Sequence, residues 1–168
     1  LVVAFNEQVL LGRVRAGELK PGAQILLESM WAEHRDPKIV QSYKEAVAML
    51  DLVSNGRVEF GIGEGATRLE LHGYGIDAKR KQAISFEAAE QIANMMAMDP
   101  YPGFQGKYFS MPVRNVVPKP VQKPHPPMWV ACSNRDTIHL AAQLGLGALT
   151  FAFVDPAEAK HWVDDYYE

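Results

Sequence analysis

The chain has 168 residues, 48% hydrophobic and 22% charged, with 17 basic against 20 acidic side chains and a net charge of −3. That length suits one domain burying roughly 70% of its unfolded surface, and the composition is that of an ordinary soluble protein. No basic cluster argues for nucleic acid, no apolar run reaches the ~20 residues of a membrane span, and a lone cysteine, Cys132, excludes an intrachain disulfide framework and suits a reducing cytoplasm.

The opening LVVAF runs straight into Asn6 and Glu7 with no basic start or cleavage site, so it does not read as a signal peptide. Because the first residue is Leu1 rather than Met, a fragment is expected. The apolar runs Leu1–Phe5 and Ala23–Leu27 are candidate buried strands, the second preceded by a Pro21-Gly22 turn. A helix is predicted over 39–53, its apolar face built from Ile39, Val40, Tyr43, Val47, Leu50 and Val53 and its start marked by Asp36-Pro37. Ser54-Asn55-Gly56 supplies a turn, since Asn and Gly tolerate positive φ. Val58, Phe60 and Ile62 then alternate at strand period over 57–62. Gly63-Glu64-Gly65 follows, a loop where backbone can approach a ligand with no Cβ in the way.

Gly65, Gly73 and Gly75 predict a long loop over 64–78 rather than a continuous helix. A second amphipathic helix is expected at 79–98 through Ile84, Ala88, Ile92, Met95 and Met96. Residues 99–127 read as irregular, and the prolines of PKPVQKPHPP (118–127) as an ordered PPII-like connector. Two strand–helix units close the chain: strand Met128–Cys132 with helix 135–144, and strand Leu146–Phe153 with helix 156–167, the latter packing on Ala159, Trp162, Val163 and Tyr166. Alternating β and α argues for a parallel sheet with crossover helices. In such folds, sites are built from loops at the C-terminal ends of the strands.

Several motifs then stand together in order: LDLVSNGRVEFGIGEG (50–65), Glu70, GYGID (73–77), GKYFS (106–110), VVPKPVQKPHPPMWVACS (116–133) and AAQLGLGALTFAF (141–153). Over about Ile39 to Tyr167 the chain resembles the bacterial luciferase-like, flavin-dependent monooxygenases. The resemblance implies an α/β fold of the (β/α)8 TIM-barrel type, reduced FMN as cofactor, O2 as co-substrate, a small-molecule substrate and a separate NAD(P)H:flavin reductase. Trp31-Ala32-Glu33-His34 looks like the family's W-x-E-H-H strand end, with Arg35 in place of the second histidine. Full-length members place another strand and helix after that point, and such barrels take ~250 residues. The expectation is therefore a partial or shortened barrel in which 1–168 form a single luciferase-like domain, 39–168 carrying the match and 1–38 atypical or incomplete. Open strand edges in such a piece imply self-association.

The resemblance nominates three clusters. Gly63, Glu64 and Gly65 would approach the flavin, although the family often carries a phosphate-holding basic residue at the Glu64 position. The bland alternative is a strand-ending turn with a solvated Glu. Cys132, Ser133, Asn134 and Thr137 stand where a strand feeds a helix, and hydroxyls with free N–H groups at a helix N-terminus suit a phosphate. Arg135 would add charge there. The alternative is an ordinary cap with Ser133-x-x-Asp136 as a capping box. Cys132 reads as a small strand-end residue, since nothing nearby activates a thiol. His34 is the candidate catalytic residue beside the flavin, with Glu33 as orienting partner, against a structural or exposed histidine. His72, His139 and His161 lack partners at metal-ligand spacing. Two competing functions remain: a non-catalytic flavin-binding or remnant protein of the same family, and a Rossmann dehydrogenase suggested by Gly61-x-Gly63-x-x-Ala66. The dehydrogenase fingerprint requires a helix directly after the glycines, which Gly73 and Gly75 oppose.

Overall fold

The computed structural model describes residues 2–4, 25–29, 37–65, 67–73, 75–151 and 154–168. In chain order these form β1 (Val2–Ala4), β2 (Ile25–Ser29), α1 (Pro37–Ser54), β3 (Val58–Ile62), α2 (Arg68–Gly73), α3 (Lys81–Ala97), β4 (Phe104–Gln105), β5 (Ser110–Met111), β6 (Met128–Ala131), α4 (Arg135–Gln143), β7 (Gly147–Leu149) and α5 (Pro156–Tyr167). Five strands make one parallel sheet in the order β1-β2-β3-β6-β7, so each enters beside its predecessor in the chain. Sequential parallel strands with helical crossovers are the pattern of successive units of a (β/α)8 barrel. A dinucleotide fold instead reverses its strand order at a switch point. With no reversal among the described strands, and a loop rather than a helix directly after Gly63, the Gly61-x-Gly63-x-x-Ala66 fingerprint has lost its context.

The core follows the sequence periodicity closely. Val58, Phe60 and Ile62 of β3 are at most 2% exposed and cluster with Val47 and Leu50 of α1 and Ala88, Ile92, Met95 and Met96 of α3. Among the described side chains, two expected core residues lie outside it: Val53 and Val163 are both exposed, while Ile39, Val40 and Tyr43 lie outside that description. At 100° per residue Val53 falls at the rim of α1's buried stripe, next to Ala46, and Val163 a quarter turn or more from Trp162 on α5. The stripe of α1 contains Lys44, Asp51 and Ser54 instead, all buried.

Those polar residues hold the proline-rich connector. Lys44 Nζ donates to the carbonyls of Val116 (3.2 Å) and Pro118. Burial, with the Lys119 ammonium close by, pushes the Lys44 amine down to about 8. The Asp51 carboxylate accepts from Gln122 N (2.9 Å) and Gln122 Nε2 (2.8 Å), while that amide also donates to Val58 O (2.8 Å). Lys119 Nζ donates to Met95 O (2.8 Å) and Met98 O at the end of α3, where a cation suits the helix dipole. Phe60 N then donates to Pro127 O (2.8 Å), which brings β6 in beside β3 with Phe60 opposite Met128. The connector is ordered because these side chains give its carbonyls and amides partners.

Two segments expected to lack regular structure contain short elements. The loop over 64–78 includes the six-residue α2. Gly73 is its last residue, and Gly75 (φ 67°) closes it, with Gly75 N bonding to His72 O and Ile76 N to Leu71 O, the pairing of a Schellman cap. The glycines thus terminate a helix rather than prevent one. Within 99–127, β4 and β5 form a two-residue antiparallel pair. Glu87 of α3 holds it by accepting from the backbone N–H groups of Lys107 (3.0 Å), Tyr108 (2.9 Å) and Phe109 (3.3 Å). A Cβ on Gly106 would lie 2.2 Å from Phe104 Cε1 and 2.5 Å from Glu87 Oε1, so only glycine fits. At the far strand, a Cβ on Gly147 would lie 2.2 Å from Cε3 of Trp129, the residue paired with it.

Removing the Glu87 carboxylate strands three backbone donors. Glu87→Ala is expected to lower stability by ~1–3 kcal/mol, with Glu87→Gln less harmful because one carbonyl oxygen remains. Urea midpoints of the two variants check this; equal midpoints for Ala and wild type would show that the carboxylate does not hold the hairpin.

Candidate functional site

The C-terminal ends of β3 and β6 deliver two loops to one place. Ile62 leads into Gly63-Glu64-Gly65, and Ala131 leads through Cys132 into Ser133-Asn134 and the start of α4. Since β3 and β6 pair directly, with Ile62 opposite Val130, the loops emerge side by side. They wall a cavity of about 430 Å³ together with Lys79, Lys81 and Gln82 at the start of α3, and Phe151 beyond β7. A larger cavity of about 720 Å³ lies between α3 and the opening residues of β6 and β7, against Met128, Trp129 and Gly147. It stands at the strands' N-terminal ends, the end that serves stability rather than chemistry in such folds.

The structure brings Gly63, Glu64, Gly65, Ser133, Asn134 and Thr137 to the smaller cavity. Asn134, not Ser133, caps α4: its Oδ1 accepts from Thr137 N (3.0 Å) and Thr137 Oγ1 (3.1 Å). The Ser133-x-x-Asp136 capping box is therefore not the one used. Ser133 sits one residue earlier, exposed, accepting a long bond from Asn134 Nδ2 (3.4 Å) and keeping its own proton to donate. Thr137 is buried and its hydroxyl proton is committed to the cap, so toward an anion it offers no donor of its own.

Cys132 is in the strand end but does not reach the cavity wall. It is fully buried, its N–H donates to Leu149 O (2.8 Å) and its Sγ contacts Val130 O at 3.4 Å. Burial pushes its thiol up to about 11, the opposite of an activated cysteine. Arg135 does not serve the cavity either. Its guanidinium makes a two-pronged bond to Asp165 of α5, and those hydrogen bonds hold the Asp165 carboxyl below the ordinary carboxylate range. That pair ties α5 to α4. His34, with Glu33 and Trp31, lies outside the described residues.

The cavity's positive charge comes instead from Lys79 and Lys81. Lys81 Nζ donates to Gly65 O (2.7 Å) and stands 3.4 Å from Glu64 Oε2, while Glu64 Oε1 is 3.5 Å from Gln82 Nε2. Sequence reading does not nominate these residues, because a basic run before a helix reads as solvated surface. Lys79-Arg80-Lys81 puts three cations at the N-terminus of α3, where Asp77 offsets them by accepting from Lys79 N (3.0 Å) and pairing with Arg80 (3.5 Å). Among the described residues no group of His, Cys, Asp and Glu could hold a metal ion, and no helix is long and apolar enough to cross a membrane.

Residues 43–168 match the family model described as luciferase-like monooxygenase. The chain is 34% identical over 100 residues to the oxygenase component of flavin-dependent trigonelline monooxygenase from Acinetobacter baylyi, covering 58% of this chain and 27% of that protein. Its fold is similar to that of monooxygenase RslO1 from Streptomyces bottropensis (TM-score 0.80, 19% identity, 96% of this chain, 48% of that one). It is also similar to the oxygenating constituent of 3,6-diketocamphane monooxygenase from Pseudomonas putida, a structure in complex with FMN (TM-score 0.75, 17% identity, 96% and 46%). The chain spans about a third of the length of the curated relatives it matches and about half of these solved structures. Its fold class is that of the TIM-type (β/α)8 barrel, of which the described strands form a part.

The buried Cys132 thiol is expected to react with iodoacetamide at pH 8 at least ~100-fold more slowly in the native protein than in urea, because little thiolate forms. Equal rates in the two states would place the thiol at an open surface.

Proposed function

The chain belongs to the luciferase-like monooxygenase family, and from that premise we propose that it binds reduced FMN in the cavity between β3 and β6 and, with O2, oxidises a small organic molecule. The observation that carries this reading is the convergence of Gly63-Glu64-Gly65 and Ser133-Asn134-Thr137 on one cavity at the C-terminal ends of two paired strands. The donor set suits the phosphate end of FMN. Ser133 offers a hydroxyl, the N-terminal end of α4 borders the same cavity, and Lys79 and Lys81 add charge. Gly63 and Gly65 let a flat ring approach the backbone, and a volume of about 430 Å³ falls within the ~300–1,000 Å³ of small-molecule sites.

Reduced FMN, when bound, supplies the electrons with which O2 is split and one oxygen atom passed to the substrate. The chain's own part is to orient the cofactor, hold its phosphate and keep water from the reacting edge. His34 is proposed at that edge on the resemblance of Glu33-His34 to the family's motif. The thiol of Cys132 supports the strand end below the site. A separate NAD(P)H:flavin reductase would supply the reduced cofactor, in keeping with the relative named as an oxygenase component. We place this chemistry in the cytoplasm and in one domain over 1–168.

FMN added to the purified protein is expected to bind saturably, followed by flavin fluorescence, and Ser133→Ala, which removes the free hydroxyl, to weaken binding roughly tenfold. Added reductase, NADH and O2 should then give substrate-dependent oxidation. Binding without turnover would mark a non-catalytic flavin-binding member, and no binding by a protein folded by circular dichroism would refute the site.

β1 and β7 each pair on one side only among the described strands, and Phe151 and Tyr167 beyond β7 are exposed. Unpaired edges and apolar surface recruit partners, so we propose that the chain self-associates. Sedimentation velocity should show mass rising with concentration; a sharp monomer throughout would contradict it.

A further inference from the structure

We propose that Lys81, held in place by Glu64 and the Gly65 carbonyl, is the residue that makes this cavity select a phosphorylated flavin over its unphosphorylated form. The inference rests on the flavin reading above and adds the source of its charge specificity. Family resemblance leads one to expect a basic residue at position 64, where this chain has a carboxylate. The structure sets a cation beside that carboxylate from a different element. Lys81, the first residue of α3, reaches across so that its ammonium lies 3.4 Å from Glu64 Oε2 and donates to Gly65 O at 2.7 Å.

Three features give that amine its role. First, a lysine ammonium has three N–H donors; Gly65 O takes one and Glu64 pairs with the charge at 3.4 Å, which leaves donor capacity for an anion in the cavity that Lys81 shares with Ser133 and the start of α4. Second, the pair is partly shielded, with side chains 27% and 16% exposed for Lys81 and Glu64, so its charge is less screened than that of a surface pair. Third, Lys81 is the cation at this end of α3 that faces the cavity. Asp77 pairs with Arg80 at 3.5 Å and accepts from Lys79 N at 3.0 Å, whereas Lys81 turns toward Glu64 and the start of α4. Glu64 orients the ammonium and at the same time repels the phosphate. Lys79, on the same wall but exposed, is the weaker contributor.

The test compares FMN with riboflavin, which differ by the phosphate, against wild type, Lys81→Met, Lys81→Arg and Glu64→Gln, by flavin fluorescence titration on protein shown to be folded by circular dichroism. Lys81→Met is expected to weaken FMN binding roughly tenfold while leaving riboflavin unchanged. Lys81→Arg should restore most of the loss, and Glu64→Gln should tighten FMN alone. The advantage of FMN over riboflavin should shrink with added salt in wild type and be nearly salt-independent in Lys81→Met. Equal weakening of both ligands, or none, in Lys81→Met overturns the inference while the flavin site stands. Failure of wild type to bind FMN at all overturns the flavin reading, and the role of Lys81 falls with it.

Discussion

A buried ammonium and a buried carboxylate on one face of α1 decide where the second half of the molecule goes. Lys44 and Asp51 lie on the helix stripe that otherwise packs the core, and both reach into the connector, one to its carbonyls and the other to Gln122. Proline-rich chain cannot donate enough hydrogen bonds to stabilise itself; it depends on partners supplied from outside. Once fixed, it feeds Met128 in opposite Phe60, and everything built at the far ends of those strands inherits that alignment. Such groups are expensive to bury unless they are fully engaged, which is why each one makes at least two bonds.

The cavity at the strand ends shows the same economy of charge. Its carboxylate, Glu64, does not face the cavity alone but is matched by Lys81, and a further cation, Lys79, tips the local balance positive. Arg135, the residue nearest in sequence to Ser133 and Asn134, is engaged elsewhere, bound to Asp165 so that α4 and α5 stay together. Charge near a site in sequence and charge at a site in space are thus supplied by different residues.

Elements with a strong apolar period were readable from the sequence. β3 lies over 58–62 against an expected 57–62, α1 over 37–54 against 39–53, and α5 over 156–167 as expected. Where a helix face is partly polar, the apolar pattern misleads: it points to Val53 and Val163, whereas the buried positions include Lys44, Asp51 and Asp165. The short α2 and the β4–β5 pair carry no period at all; one is defined by its glycine terminator and the other by a glutamate about twenty residues away. The strand-end loops of the site were legible through their glycines and hydroxyls. Lys79 and Lys81 were not, since a basic run before a helix reads as solvated surface until the fold brings it beside Glu64.

Gly147 has a consequence for how the sheet is assembled. Edge strands made of small residues specify their alignment weakly, and β7, with the sequence Gly-Ala-Leu, is short and light. Trp129 supplies what those residues lack. Its ring fills the space a side chain at 147 would take, so a slip of the strand that put Leu146 or Ala148 in that place would drive a methyl or larger group into the indole. The tryptophan and the missing Cβ act as key and keyway: the alignments one residue to either side are sterically closed, and the strand seats with a glycine against the indole.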